Sequence, residues 1–299
     1  MRTGSRLGVY ALGVVAVFGL AAAAGAGLGP IGVGASADHS TMSPESPTVI
    51  AVGLSGLTTA ADGFQLVTDV AAVEAGEPSV FTFRIERADG STVTDFDLLN
   101  DRRMHLVVLS RNLVDYLHIH PVLEADGTWN IDLPAMTPGS YRAYADFRPH
   151  GADQITLATD VSVSGLVVPI DVPAVSPNTE VDGFTVSLAG MAAVGESTLA
   201  FDVARNGAAV VTEPYLGAAG HLVVIREGDL GYLHVHPLDG EAGPVRFAAE
   251  FPTPGTYRLF FDFSSGGTVR TASFTIDVAR SDAMTTDPSM SNDHESQSP

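Results

Sequence analysis

Pro254-Gly255-Thr256-Tyr257-Arg258-Leu259-Phe260-Phe261-Asp262-Phe263 restates, 116 residues later, the stretch Pro138-Gly139-Ser140-Tyr141-Arg142-Ala143-Tyr144-Ala145-Asp146-Phe147. A Pro-Gly turn leads into an aromatic-rich run in which Tyr257, Leu259, Phe261 and Phe263 alternate. By the period of two, these four share the core face of a strand, and Arg258 and Asp262 take the other face, as Arg142 and Asp146 do in the first copy. The tyrosine just after the turn sits where immunoglobulin-like sandwiches use a corner tyrosine. The same offset holds upstream without a gap. His105-Leu106-Val107-Val108-Leu109 answers His221-Leu222-Val223-Val224-Ile225, and Tyr116-Leu117-His118-Ile119-His120-Pro121 answers Tyr232-Leu233-His234-Val235-His236-Pro237. The chain therefore carries its own two-sequence comparison, in which histidines, tyrosines, prolines and aspartates persist while their surroundings drift.

Around this repeat, short Val/Ile/Phe/Thr-rich runs alternate with Gly, Pro, Asn and Asp. In the first unit they predict strands over 64–70, 79–87, 105–109, 116–120, 128–133, 141–147 and 156–163, and the second unit repeats the order between 184 and 278. No run beyond the N-terminus has a 3.6-residue apolar period. The expected fold is all-β: two tandem immunoglobulin-like antiparallel β-sandwich domains after an N-terminal hydrophobic helix. A length of 299 residues suits two such domains. The boundaries follow as repeat 1 over 48–165, a linker punctuated by Pro169, Pro173 and Pro177 over 166–180, and repeat 2 over 181–279, with the linker extended and moderately flexible.

Arg2 and Arg6 precede an apolar run from Leu7 to about Leu28, and Ala35-Ser36-Ala37 has the small-residue pattern of a signal-peptidase site. Residues 1–37 are accordingly a signal peptide, or an uncleaved membrane anchor with the domains outside, because the run approaches the roughly 20 residues that span a bilayer. Gly25-Ala26-Gly27-Leu28-Gly29 lies within this segment with no strand before it, so it is not a nucleotide loop. Residues 38–47 and the acidic tail 280–299 are polar and expected to be disordered. They hold His39, Met42, Met284, Met290 and His294, read as ordinary tail composition.

The net charge of −20 argues against nucleic acid and anionic membrane surfaces as partners; it would favour cations, but the plainer reading is that it keeps an exported protein soluble. Lysine is absent, which excludes Schiff-base chemistry and a phosphate-loop lysine. The absence of cysteine excludes disulfides, thiolate nucleophiles, zinc-thiolate sites and the thiolate of a blue-copper centre. With no serine elbow and no paired-carboxylate motif, a non-enzymatic role is expected.

The histidines carry the chemistry. His118 and His120 project from one face of a strand, and so do His234 and His236. His105 and His221 open the preceding strands. Pairing His105 with His118 puts the hairpin turn at Arg111-Asn112, and pairing it with His120 puts it at Asn112-Leu113; either register keeps the three rings on one face. Asn112 and its counterpart Gly228 are residues that readily take positive φ. Three imidazoles without thiolate suit Cu²⁺ or Zn²⁺. The expectation is one divalent ion per domain, at His105, His118 and His120 and at His221, His234 and His236. Asp146 and Asp262 are candidate fourth ligands or orienting acceptors, against a competing reading as surface partners of Arg142 and Arg258. Met104 and Met136 lie near the first triad, but their counterparts are Gly220 and Pro252, so they read as packing. His150 occurs in the first copy alone and reads as incidental.

Residues 105–147 and 221–263 resemble a series found in bacterial exported β-sandwich proteins of the heavy-metal-binding or YtkA-like type: His-Leu-Val-Val, Asp-Leu, Leu-His-x-His-Pro and Pro-Gly-Thr-Tyr-Arg-Leu. The resemblance implies metal handling, chiefly of copper, in the cell envelope. Asn112-Leu113-Val114-Asp115 departs from the Gly228-Asp229-Leu230 form of that series. The His-x-His strand is also similar to that of copper/zinc superoxide dismutase, although the bridging histidine and the cysteine pair of that family are missing. The leading expectation is an exported or membrane-anchored protein binding copper or zinc, with an envelope or membrane protein as a further partner. The alternative is a structural or partner-binding tandem module with structural histidines. A metal-dependent oxidoreductase comes third.

Overall fold

The computed structural model describes residues 54–238 and 243–280. The expected leader or anchor, the expected disorder of residues 38–47 and all of the expected tail 280–299 except Arg280 lie outside the described residues. Every regular element among the described residues is a β-strand, and no helix there is long and apolar enough to cross a membrane.

Alternation builds each sandwich. Along Ser79–Arg87, Phe81, Phe83 and Ile85 point inward while their neighbours do not, which seats this strand as one wall of the first core. It pairs with Phe64–Val67 and Thr128–Leu133 in one sheet. The opposing sheet runs in the order Ala72–Val73, Ile155–Val163, Gly139–Pro149, Met104–Ser110, Tyr116–Ile119. Trp129, Phe96 and Phe147 fill the space between with edge-on ring contacts. The second repeat sets Phe184–Ala189, Gly195–Arg205, Val245–Phe251 and Val235–Leu238 against His221–Arg226, Gly255–Ser265 and Thr268–Val278. Tyr257, Leu259, Phe261 and Phe263 all enter its core. Both corner tyrosines are present. Tyr141 Oη donates to Thr137 O (3.1 Å) and Tyr257 Oη to Thr253 O (3.0 Å), tying each strand entry to the backbone four residues upstream.

One finding departs from the sequence pattern. All seven residues of Met104–Ser110 are buried, where a strand of a free-standing sandwich buries alternate ones. Leu106 and Val108 face the first core, and Val107 and Leu109 face a second cluster with Leu113, Tyr144, Val223, Ile225, Leu230, Tyr232 and Phe260. The two repeats are docked sheet against sheet, so the face expected to carry Arg258 and Asp262 in solvent is buried, each of them 2% exposed. The docking is a pseudo-two-fold, with several of its contacts repeated at the 116-residue offset. Tyr116 stacks on Phe260 (centroids 4.2 Å), and at the image position Tyr232 meets Tyr144 in a tilted contact (5.6 Å). Arg258 Nε donates to Leu113 O (3.1 Å) as Arg142 Nη1 does to Asp229 O (3.4 Å). Self-complementary patches of this kind are what a two-fold demands.

The connection between repeats runs from the end of Ile155–Val163 to the start of Asn178–Val181. It is anchored at Val172, which packs on the interface cluster, and at Pro173, whose carbonyl accepts from Thr275 (2.6 Å). The first described residues of repeat 1 are also shared with repeat 2. Ser55 exchanges two backbone hydrogen bonds with Tyr232 (2.9 Å each), and Gly56 N donates to Thr156 O (3.1 Å). Gly56 has φ +65°, and a Cβ there would lie 2.5 Å from the Tyr144 ring.

In the first hairpin Val107 opposes His118 and Leu106 opposes Ile119, which sets His105 opposite His120, the second of the two registers the sequence allowed. The left-handed residue is Leu113 (φ +61°), not Asn112, whereas Gly228 (φ +96°) and Leu230 (φ +61°) take that conformation in the second copy. Leu113 is held there because its side chain is buried between the repeats and its carbonyl binds Arg258.

Candidate metal centre between the repeats

His105 stands on the outer face of Met104–Ser110, in line with Val107 and Leu109 and opposite Asp146 on the neighbouring strand. The adjacent hairpin strand brings His118 and His120 to the same face. The ligand atoms of these three residues all lie within 4.8 Å of one another, the only such group of three histidine, aspartate or glutamate side chains among the described residues.

The hydrogen bonds around the triad determine which ring nitrogens are free. His105 Nε2 lies 2.9 Å from the carbonyl of Leu99, which can only accept, so Nε2 carries the proton and Nδ1 a lone pair. His118 Nδ1 lies 2.8 Å from Asp262 Oδ2. That carboxylate also accepts from Tyr116 Oη (3.2 Å) and Thr271 Oγ1 (2.5 Å), so His118 Nδ1 donates, and in the neutral ring its Nε2 is the nitrogen with the lone pair. His105 Nδ1 and His118 Nε2 face each other at 3.0 Å, two lone pairs when both rings are neutral. His120 Nε2 is buried without a hydrogen-bond partner and completes the set.

Ring spacing supplies a second test. At a Zn–N distance of about 2.0–2.1 Å an imidazole centre lies roughly 3.2 Å from the ion, so rings placed tetrahedrally around it are about 5.2 Å apart. The observed separations are 5.3 Å for His105 and His118, 5.0 Å for His105 and His120, and 5.1 Å for His118 and His120. Burial, reinforced by His118, pulls His105 down to about 4; burial, with His118 and His105, pulls His120 down to about 3. Both rings are thus neutral at pH 7, the form that ligates metal. Burial and the nearby Asp262 push the Tyr116 phenol well above its ordinary value, so it stays a donor.

The same chain of residues appears twice in sequence but only once in space. His221 Nε2 donates to Tyr215 O (3.0 Å), the image of the bond from His105 to Leu99. Beyond it the likeness ends, and the expected second triad does not assemble. The second hairpin leaves its sheet after Leu233, and Val235 and His236 pair with Ala249 and Ala248 of the opposite sheet. This turns His236 to solvent and leaves the His234 side chain 35% exposed.

The aspartates are exchanged between repeats. Asp262 of the second repeat orients His118 of the first, while Asp146 of the first lies 3.9 Å from His234 of the second. Asp146 itself is held by Gln154 Nε2 (3.1 and 2.9 Å) and Thr156 Oγ1 (3.0 Å), and burial raises its carboxyl. The surface pairing with arginine does not occur. Arg142 binds Asp160 (2.9 Å), and Arg258 donates to Leu113 O and Thr275 Oγ1. A cleft of about 250 Å³ opens beside the cluster, with His105, His118, Asp146, His221, His234 and His236 in its wall. Met104 and Met136 are in the first core, and His150 pairs with Asp97 (2.9 Å) away from the site.

A family model described as a domain of unknown function (DUF8832) matches the chain twice, over residues 58–165 and 179–280. The chain belongs to that family. No curated protein sequence matches it. Among solved structures, the Escherichia coli adhesin FdeC is similar at 13% identity and TM-score 0.24, over 74% of this chain and 65% of FdeC, under two thirds of that chain. The fibronectin(III)-like modules of Clostridium thermocellum CbhA are similar at 13% identity and TM-score 0.21, over 73% of this chain and 94% of theirs. Domains 4–9 of the surface layer protein SbsC are similar at 11% identity and TM-score 0.22, over 72% and 31%.

Each DUF8832 repeat also supplies partners that the sequence reading missed. The carbonyls of Leu99 and Tyr215 leave no side-chain signature, although the 116-residue offset relates them. Thr271 and Tyr116 reach Asp262 only after the strands pair and the repeats dock, so neither stood out as a site residue.

Proposed function

We propose that this DUF8832 protein is an exported metal-binding protein that holds one divalent copper or zinc ion at His105, His118 and His120. The observation that carries the reading is the pair of imidazole nitrogens, His105 Nδ1 and His118 Nε2, facing each other at 3.0 Å with hydrogen-bond acceptors on the far sides of both rings. Two neutral rings so placed repel unless a metal ion or a shared proton lies between them, and hydrogen-bonded outer nitrogens are the usual support of metal-bound histidine. Nitrogen donors without thiolate favour Cu²⁺ and Zn²⁺. The resemblance of residues 105–147 and 221–263 to exported heavy-metal-binding proteins points the same way, and Arg2 and Arg6 before the apolar run support export. The role is binding rather than catalysis.

A second reading has one specific observation behind it. A proton on His118 would also close the series Leu99 O, His105, His118, Asp262, making the cluster a structural pin in a partner-binding tandem module. Metal analysis separates the two. Purified chain, loaded with Zn²⁺ or Cu²⁺ and freed of weakly held ions, is expected to retain one equivalent, and His118→Ala/His120→Ala none, with the strand signal in circular dichroism unchanged. No retained metal in the wild type, or unfolding of the double variant in its place, establishes the structural pin.

A further inference from the structure

Resting on that reading, we propose that His221 of the second repeat is the fourth ligand of the ion, so that the ion bridges the two repeats. The triad supplies three ring nitrogens, and a closed tetrahedral site needs one more. His221 Nε2 donates to Tyr215 O at 3.0 Å, which leaves Nδ1 as the lone-pair nitrogen, the same tautomer that the Leu99 carbonyl imposes on His105.

Its ring centre lies 6.0 Å from His105 and 6.2 Å from His118, against 5.0–5.3 Å within the triad. A ring movement of about 1 Å closes these two gaps to the tetrahedral spacing of about 5.2 Å. The approach follows from symmetry. His105 and His221 are images under the pseudo-two-fold, and in a self-complementary interface a residue near the axis meets its own image.

The other candidates fit less well. Asp146 has both carboxylate oxygens engaged by Gln154 and Thr156. His236 is exposed on the opposite sheet, and His234 is a third exposed. Gly220, before His221, would bring a Cβ within 2.6 Å of the Phe261 ring and 2.9 Å of Asp262 O; its close packing seats His221 against the strand that carries Asp262. With ligands on both sides of the interface, binding free energy of the ion becomes docking free energy of the repeats.

X-ray absorption on the zinc-loaded full chain counts bound imidazoles. Four are expected in the wild type and in His234→Ala, and three plus a light oxygen donor in His221→Ala, whose zinc affinity falls by about 10-fold or more, at least what loss of an outer-sphere partner costs. If His221→Ala fails to fold without metal, His221→Gln, of similar bulk and polar, is read in its place with the same expected loss. Three imidazoles in the wild type, or an unchanged spectrum and affinity in the His221 variant, overturns the assignment while leaving the triad as a metal site. A wild type that takes up no zinc overturns both.

Discussion

Asp262→Asn tests whether a residue of one repeat tunes a site built by the other. Asp262 is 2% exposed and accepts from His118, Tyr116 and Thr271. Asparagine keeps the shape but removes the charge and one of the two acceptor oxygens. The bond to His118 changes from charge-assisted to neutral, and the basicity of His118 Nε2 falls with it. Losing such an outer partner typically costs 10–100-fold in metal affinity, about 1.4–2.8 kcal/mol at 1.4 kcal/mol per tenfold. The assay is competition for Zn²⁺ against a chromophoric chelator at neutral pH, using the full chain. Its internal comparison is Asp146→Asn, the same change at the image position, where the carboxylate is 3.9 Å from His234 and outside the triad. Asp262→Asn should weaken binding by one to two orders of magnitude and Asp146→Asn by less than about threefold, below the range for an outer-sphere partner. Equal effects of the two substitutions, or none at Asp262, would refute the claim that the exchanged aspartate orients a ligand.

In chelator, stability should fall as pH drops from about 6.5 towards 4. The unfolded chain protonates His105 and His120 near the reference value of 6.5, whereas the folded rings resist until about 4 and about 3, so proton uptake favours the unfolded state through that window. Urea titrations between pH 7 and 5 should show this slope and its reduction in His120→Gln; parallel curves for the two proteins would exclude the triad as its source. Phe260→Ala removes a ring that is 1% exposed and stacked on Tyr116, and should cost about 3–5 kcal/mol by calorimetry, weakening the docking of the repeats. A cost below about 1 kcal/mol, well under the usual range for a buried phenylalanine, would mean that the interface contributes little.

Strand identity and repeat structure were legible because both are local. Period-two alternation at Tyr257, Leu259, Phe261 and Phe263, the Pro-Gly turns and the corner tyrosines act over a few residues, and they reappear in the fold as read. The continuous apolar run Leu106-Val107-Val108-Leu109 also held a signal of burial on both faces, but an apolar run does not say what covers it. The three histidines of the first copy were legible as a face, since i and i+2 spacing and a hairpin place them together whichever register forms. The second copy has the same spacing and a different outcome, because its chain changes sheets after Leu233, a choice made by pairing with Val245–Phe251 far along the chain.

By itself, then, the sequence determined two sandwiches and one face of imidazoles. Tertiary structure alone decided that this face is an interface. Arg258 and Asp262 alternate out of their own core whether water or another sheet lies beyond, and nothing in the strand distinguishes the two. Packing of the repeats about the pseudo-two-fold carried Asp262 to His118 and set His221 beside His105. Partners of that kind depend on contacts more than 100 residues apart, such as the one from His118 to Asp262, with a sequence separation of 144. A local pattern of residues contains no such distance.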